Sequence, residues 1–345
     1  MASQLTKTEG SIFMNNPIIY TVLPHAEPDS GCAFHRVKLV VTMKMSGGGM
    51  PERIKVFDDF SQPVTDASEV VQFDVSSAFI SMAEAYVYSP VEHNDGHHAT
   101  YPYFEATIQA KDVWLKGGVL VDPAPVGEGM TEAQTCDAIM GGYSDYERHL
   151  PTQTLTLSRK PSVGEIVFPG DTYVYAAPVP ETSRVQPQTR VISDAEVDTL
   201  LSIDGRTVYV SAPHRDSHIF QFVNSRGVIE SIRLFGKDKE TAKGGNEEHV
   251  VSRFETFTKF SRILTTKKAT RAEFTMSSGP VSYAWARWFA YEFGRSQQYW
   301  MLTDDGVWLP CSVTVDDSVT VIDRSKADLC SVDFVVSPNI NGPLF

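Results

Sequence analysis

The stretch Tyr299-Trp300-Met301-Leu302, Thr303-Asp304-Asp305-Gly306, Val307-Trp308-Leu309-Pro310-Cys311-Ser312-Val313 decides the fold class. An apolar run, a turn with Asp-Gly chemistry and a returning apolar run predict a β-hairpin. Just upstream, Ala284, Trp285, Trp288 and Phe289 recur at helical spacing, which predicts a short amphipathic helix. Ser278-Gly279-Pro280 is expected to start that helix, because proline is tolerated where the first N–H lacks an intrahelical partner. Gly294 is expected to end it as a left-handed cap. Downstream, Cys330, Val332, Phe334 and Val336 alternate with Ser331, Asp333 and Val335, the pattern of a half-buried last strand. Residues 278–345 thus hold four of the chain's five tryptophans. Trp285, Trp288 and Phe289 share one helix face. Of its two covers, a neighbouring subunit or the hairpin carrying Trp300 and Trp308, the hairpin is favoured because it is close in sequence.

Outward from this module the chain reads as strands. Residues 34–45 alternate Val37, Leu39, Val41 and Met43 against polar neighbours until Gly47-Gly48-Gly49, a hairpin tip. Residues 54–57 and 70–75 are further strands, and 76–80 a short helix or turn. Residues 101–121 place Phe104, Ala106, Ile108 and Ala110 on one face. Short strands with turn signals about every 8 to 12 residues predict a sandwich or barrel, not a parallel α/β sheet. Residues 122–190, rich in proline and glycine, read as an excursion with short strands at 154–157 and 173–175. Regular strands resume at 207–210, 219–222 and 228–235, then a polar loop at 237–246. The expected organisation is an arm (1–30), an acidic β-sandwich-like domain (31–190, with the excursion at about 122–190) and a second β-rich domain (191–345).

At 345 residues, 42% hydrophobic and 21% charged, the chain has the composition of a folded protein. Its net charge of −13 argues against a nucleic-acid partner, which needs a basic face. Residues 1–150 carry 20 acidic and 9 basic side chains, whereas 151–245 carry 11 of each. The acidic part serves solubility or docks a basic partner. No stretch approaches the ~20 apolar residues that span a bilayer, so no membrane insertion is expected, and the first residues do not read as a secretion signal. Cys32, Cys136, Cys311 and Cys330 form no C-x-x-C pair and are expected as buried thiols.

Candidate chemistry is sparse. Glu92-His93-Asn94-Asp95-Gly96-His97-His98 is dense enough in imidazole to hold zinc or nickel. It lacks a helical i, i+4 pair of histidines, so a solvated loop tip is preferred and His93, His97 and His98 stand only as weak metal candidates. His214-Arg215-Asp216-Ser217-His218 has triad residue types, but triads are assembled from distant positions, and a turn accounts for it. Gly47-Gly48-Gly49 lacks the Lys-Ser/Thr of a phosphate loop. Asp304-Asp305 and Asp316-Asp317 lack calcium-loop spacing. Tyr86, Tyr88, Tyr101, Tyr103 and Phe104 make either a sugar-stacking platform or a sandwich core. No catalytic residue and no cofactor is predicted.

Several elements taken together resemble the distal-tail proteins of tailed bacteriophages. They are Phe73-Asp74-Val75-Ser76-Ser77-Ala78, Gly141-Gly142-Tyr143-Ser144-Asp145-Tyr146-Glu147-Arg148, Leu157-Ser158-Arg159-Lys160-Pro161, and the ending of helix, Tyr-Trp strand, Trp-Leu-Pro strand, Asp323-Arg324 and Val332-Asp333-Phe334. The resemblance implies a structural virion protein without catalytic residues. On that resemblance, copies of it, commonly six, would form a ring that joins the tail tube to the tip or receptor-binding apparatus, assembled in the host cytoplasm. Its partners would be itself and other tail proteins. The alternative from another class is a carbohydrate-binding or host-adhesion module at residues 86–104, and a third is a metal-dependent hydrolase using His93, His97 and His98.

Overall fold

Alternation along Val37, Leu39, Val41, Met43 and Met45 buries five side chains on one face of a single long strand, and the first half of the chain is layered around it. The computed structural model describes residues 4–10, 13–24, 32–47, 50–64, 69–92, 98–117, 119–121, 130–143, 155–162, 165–178, 185–203, 205–213, 216–251, 262–315 and 329–338. The protein is mainly β. The first strands are β1 (Gln4–Gly10), β2 (Ile18–Leu23), β3 (Cys32–Gly47), β4 (Met50–Phe57), β5 (Ser61–Val64) and β6 (Val71–Asp74). After helix α1 (Ser76–Ala83) come β7 (His98–Thr100), β8 (Pro102–Lys116), β9 (Val119–Val121) and β10 (Gln134–Ala138).

β1, β2 and β6 make one sheet, and β10, β8, β3 and β4, with β5 and β9, make another. Both supply one core. Ile18, Tyr20, Val22 and Phe73 come from the first, and Val41, Met43, Phe104, Ala106 and Ile108 from the second, with α1 adding Phe79 and Met82. Asp74 lies two residues before α1, and its carboxylate accepts the Ser76 N–H at 3.0 Å. The expected arm is therefore no arm. Residues 4–10 and 18–23 are paired strands of this sandwich: Ile18, Tyr20 and Val22 alternate into its core, and Leu5 joins them.

In the middle stretch are β11 (Ile166–Val167), β12 (Thr172–Pro178), β13 (Val185–Val191), β14 (Leu200–Ile203) and β15 (Arg206–Val210). They form two small sheets, β12-β13-β7 and β11-β15-β14, around Val167, Tyr173, Ile192, Val208 and Val210. The strand expected at 154–157 is absent from 155–157. Those residues instead give Leu157 to a core and the Leu157 carbonyl to Asn224 (3.0 Å).

The last part holds β16 (Ser217–Val223), β17 (Ile229–Val251), β18 (Arg262–Ser277), β19 (Val281–Ser282), α2 (Tyr283–Tyr291), β20 (Tyr299–Leu302), β21 (Trp308–Val315), β22 (Leu329–Cys330) and β23 (Asp333–Pro338). Six strands close a barrel in the order β16-β17-β18-β23-β21-β20. Its core is aromatic. Phe293, just past α2, lies 5.1 Å from Phe222, 5.3 Å from Tyr299 and 5.1 Å from Phe334, centroid to centroid.

Four expectations change here. Pro280 does not open the helix, for β19 intervenes and Ser282 precedes the first turn. Gly294 is no left-handed cap. It sits in a 3-10 turn (Phe293–Arg295), and a Cβ there would meet Val315 Cγ2 at 2.4 Å, so close packing demands glycine. Trp300 and Trp308 do not cover the helix. Tyr299 and Met301 point into the barrel with α2, while strand alternation turns Trp300 outward into a second core containing Phe13, Tyr101, Leu157 and Ile229, against which Trp308 packs. Residues 237–246 are no loop but part of β17. β17 and β18 stay paired from Phe235↔Ser277 to Val251↔Arg262, with register shifts between Lys237 and Glu240 and between Glu247 and Glu248. A polar ribbon needs only backbone pairing, which apolar periodicity does not report.

Candidate functional site

The sandwich and the barrel meet at a backbone joint. The turn between β16 and β17 is held by Asn224, whose side-chain oxygen accepts the N–H groups of Arg226 (2.9 Å) and Val228 (3.2 Å). Against it lies the chain leaving β10. Gly142 N–H donates to Ser225 O (3.0 Å), and Asn15 N–H to Gly141 O (3.0 Å). Asn16 pairs its amide with the Tyr143 backbone at 2.6 and 3.0 Å. Arg226 is buried, its guanidinium 4.3 Å from the Tyr143 ring centroid and 4.9 Å from that of Phe13, and it donates to Gly142 O. Tyr88 Oη donates to Gly227 O at 2.9 Å. Gln221, facing out of the barrel, takes the Val91 N–H (2.7 Å) and donates to Val91 O (3.0 Å).

Beside this joint opens a cleft of about 680 Å³. Met14, Met140 and Val223 contribute apolar surface, and Tyr88, Tyr143 and Tyr291 contribute rings. Arg159 and Glu292 also line it, paired at 3.6 Å, and Glu292 accepts the Ser225 N–H at 2.6 Å. Asn15, Arg295, Gln297 and Gln298 line it too. Its walls thus come from six separate parts of the chain.

Below Arg159 is a buried polar network. Glu230 accepts from Ser158 Oγ (2.6 Å), Arg159 N (3.2 Å) and Asn224 Nδ2 (2.9 Å). Burial holds its carboxyl above the usual range, while Lys160 and the bonds from Ser158 and Asn224 pull the other way. Glu165, 3.8 Å from Arg206, is likewise raised by burial against the pull of Lys160 and Arg206. Arg206 also donates to Lys160 O at 2.9 Å. These groups stitch the middle stretch to the barrel's end; Arg159 and Asn224 also line the cleft, whereas Ser158, Lys160, Glu165, Arg206 and Glu230 do not.

Trp288 and Phe289 are buried and Trp285 is partly so, all in the barrel core, whereas Trp300 and Trp308 belong to the neighbouring core. His93 and His97 lie outside the described residues. His98 begins β7, opposite Arg190. Among the described residues no group of His, Cys, Asp and Glu is arranged to hold a metal. His214 and Arg215 also fall outside the described residues, and Ser217 is a strand residue accepting from Arg233 at 3.4 Å. The five aromatics of the expected platform do not share one exposed face: Tyr86, Tyr88 and Tyr103 are half-buried, Tyr101 and Phe104 are buried, and the Tyr101 hydroxyl sits 2.7 Å from Thr189 Oγ1 and accepts the Ile229 N–H. Burial pushes the Cys311 thiol up to about 12, leaving it inert. Among the described residues no helix is long and apolar enough to cross a membrane.

Sequence reading missed the cleft. Gly141-Gly142-Tyr143 stood out only within the stretch that resembles tail proteins, and Asn224-Ser225-Arg226-Gly227 only as a link between two strands, with nothing to say that they touch. No protein-family model, curated protein or solved structure matches this chain.

Proposed function

We propose that this chain is a structural assembly subunit, and that the assembly is the ring at a bacteriophage tail tip whose proteins its sequence resembles. One observation carries the assembly reading. Beyond the barrel, residues 240–251 and 262–274 run on as a two-stranded ribbon. β16 leaves β17 at Phe235 and β23 leaves β18 at Phe274, so among the described residues each strand of the ribbon pairs only with the other. Twelve residues at ~3.3 Å each extend it roughly 40 Å. Isolated ribbons are marginal and their open edges invite pairing, so a partner that covers the arm explains its length. The hydrogen-bonded, closely packed joint between sandwich and barrel suits a part that holds shape under load. In this reading the role is mechanical, not catalytic, and the partners are further copies and other tail proteins in the virion.

Replacing residues 242–272 by Asn-Gly tests it, because Thr241 and Glu273 face each other and a two-residue turn joins such a pair. By sedimentation the full chain should form a closed oligomer as concentration rises, and the shortened chain should remain a folded monomer. A full chain that is monomeric at every accessible concentration, or a shortened chain that assembles equally well, would refute the reading.

A further inference from the structure

The cleft beside the joint holds hydrogen-bonding groups that the fold does not use. The side-chain amides of Asn15, Gln297 and Gln298 line it, all three residues exposed, and they have no side-chain partner among the described residues. The backbone around them is already committed. Asn15 N–H goes to Gly141 O, Gly142 N–H to Ser225 O, Gly227 N–H to Asn224 O and Ser296 N–H to Phe293 O. An extended peptide, which needs a strand edge to pair with, finds no ladder in these segments. Charge is nearly balanced, since Arg159 and Glu292 face each other at 3.6 Å. Arg295 lies over the Tyr291 ring at 5.3 Å, and Tyr291 is 53% exposed.

We propose that this cleft binds a neutral oligosaccharide. Each amide offers a donor and an acceptor side by side, which matches hydroxyls that donate and accept at once. Tyr291 offers an aromatic body to the C–H face of a sugar ring, and the thioethers of Met14 and Met140 adapt to irregular apolar shape. A volume of about 680 Å³ falls within the ~300–1,000 Å³ of small-ligand sites. The inference is independent of ring assembly and holds equally for a monomer.

The test uses the full chain on an array of neutral oligosaccharides of glucose, galactose, mannose and N-acetylhexosamines, beside charged glycans and a peptide library, with hits titrated by calorimetry. At least one neutral glycan should bind saturably. Tyr291→Ala and Gln298→Ala should each weaken it at least tenfold, while Glu52→Ala on the far sheet leaves it unchanged. Urea midpoints show that the variants fold, and Gln298→Ala alone decides if Tyr291→Ala does not. Absence of saturable binding across the array, binding of charged glycans or peptides only, or unchanged affinity in the folded cleft variants overturns the proposal.

Discussion

Gly141 lies directly against the backbone of Arg226: a Cβ on Gly141 would sit 2.1 Å from the Arg226 carbonyl carbon. The contact joins the chain leaving β10 of the sandwich to the turn entering the barrel's longest strand. It brings Tyr143 over the buried Arg226 and forms one wall of the cleft.

Gly141→Ala should therefore loosen the joint. Its φ of +91° disfavours any side chain, and the clash is with backbone, which cannot swing away. The expected loss is on the order of 1–3 kcal/mol. Gly306→Ala, also at positive φ but with nothing within 4 Å, should cost less. Urea midpoints compare the two, and equal losses would remove the close contact as the cause.

Trp288→Ala empties the barrel core. The ring is 6% exposed and lies 5.6 Å from Phe222 and 5.2 Å from Phe289. A loss of about 3–5 kcal/mol is expected, read as a lowered midpoint in the isolated chain. An unchanged midpoint together with failed assembly would move this residue from core to interface.

Arg233 and Asp171 form a buried pair at 3.1 Å, with Arg233 also donating to Pro169 O at 2.6 Å. Asp171→Ala leaves the guanidinium without its counter-charge, and breaking such a pair costs about 3–5 kcal/mol. Calorimetric or urea unfolding measures it. A loss below about 0.5 kcal/mol, typical of exposed sites, would mean water reaches the pair.

Glu230 makes stability depend on pH in a defined direction. Its folded carboxyl is raised by burial, so between the unfolded and folded values the folded state binds more proton than the unfolded state. Stability from this group is present below the unfolded carboxyl value and declines as pH rises toward the folded one. Glu230→Gln keeps a neutral side chain throughout. The wild type's stability relative to this variant should fall as pH is raised from about 4 to 7, measured as paired urea midpoints. A difference that stays flat or grows with pH would contradict the raised carboxyl.

Much of the fold was legible. Val37 to Met45 and Phe104 to Ala110 announce strands because burial on one face writes itself as a period of two. The helix at Ala284–Phe289 and the Thr303–Gly306 turn follow from spacing and turn chemistry in the same local way. The ribbon beyond Lys237 was not legible, since strands held by backbone pairing place no demand on side-chain polarity. The first thirty residues misled because two short strands read like an arm until the facing sheet is known.

The candidate site lies beyond the sequence's reach for a related reason. Asn15, Gly141, Asn224 and Gln298 are far apart along the chain, and each is an ordinary loop residue where it stands. By itself the sequence determined which faces are apolar, where strands and turns fall, and that the chain is mainly β. Tertiary structure alone decided that Trp300 serves a different core from Trp288, that Gly141 abuts Arg226, and that six separate parts of the chain enclose a cleft. Local periodicity records only whether a side chain leaves water. Which distant side chain it then meets is set by long-range packing of the whole chain.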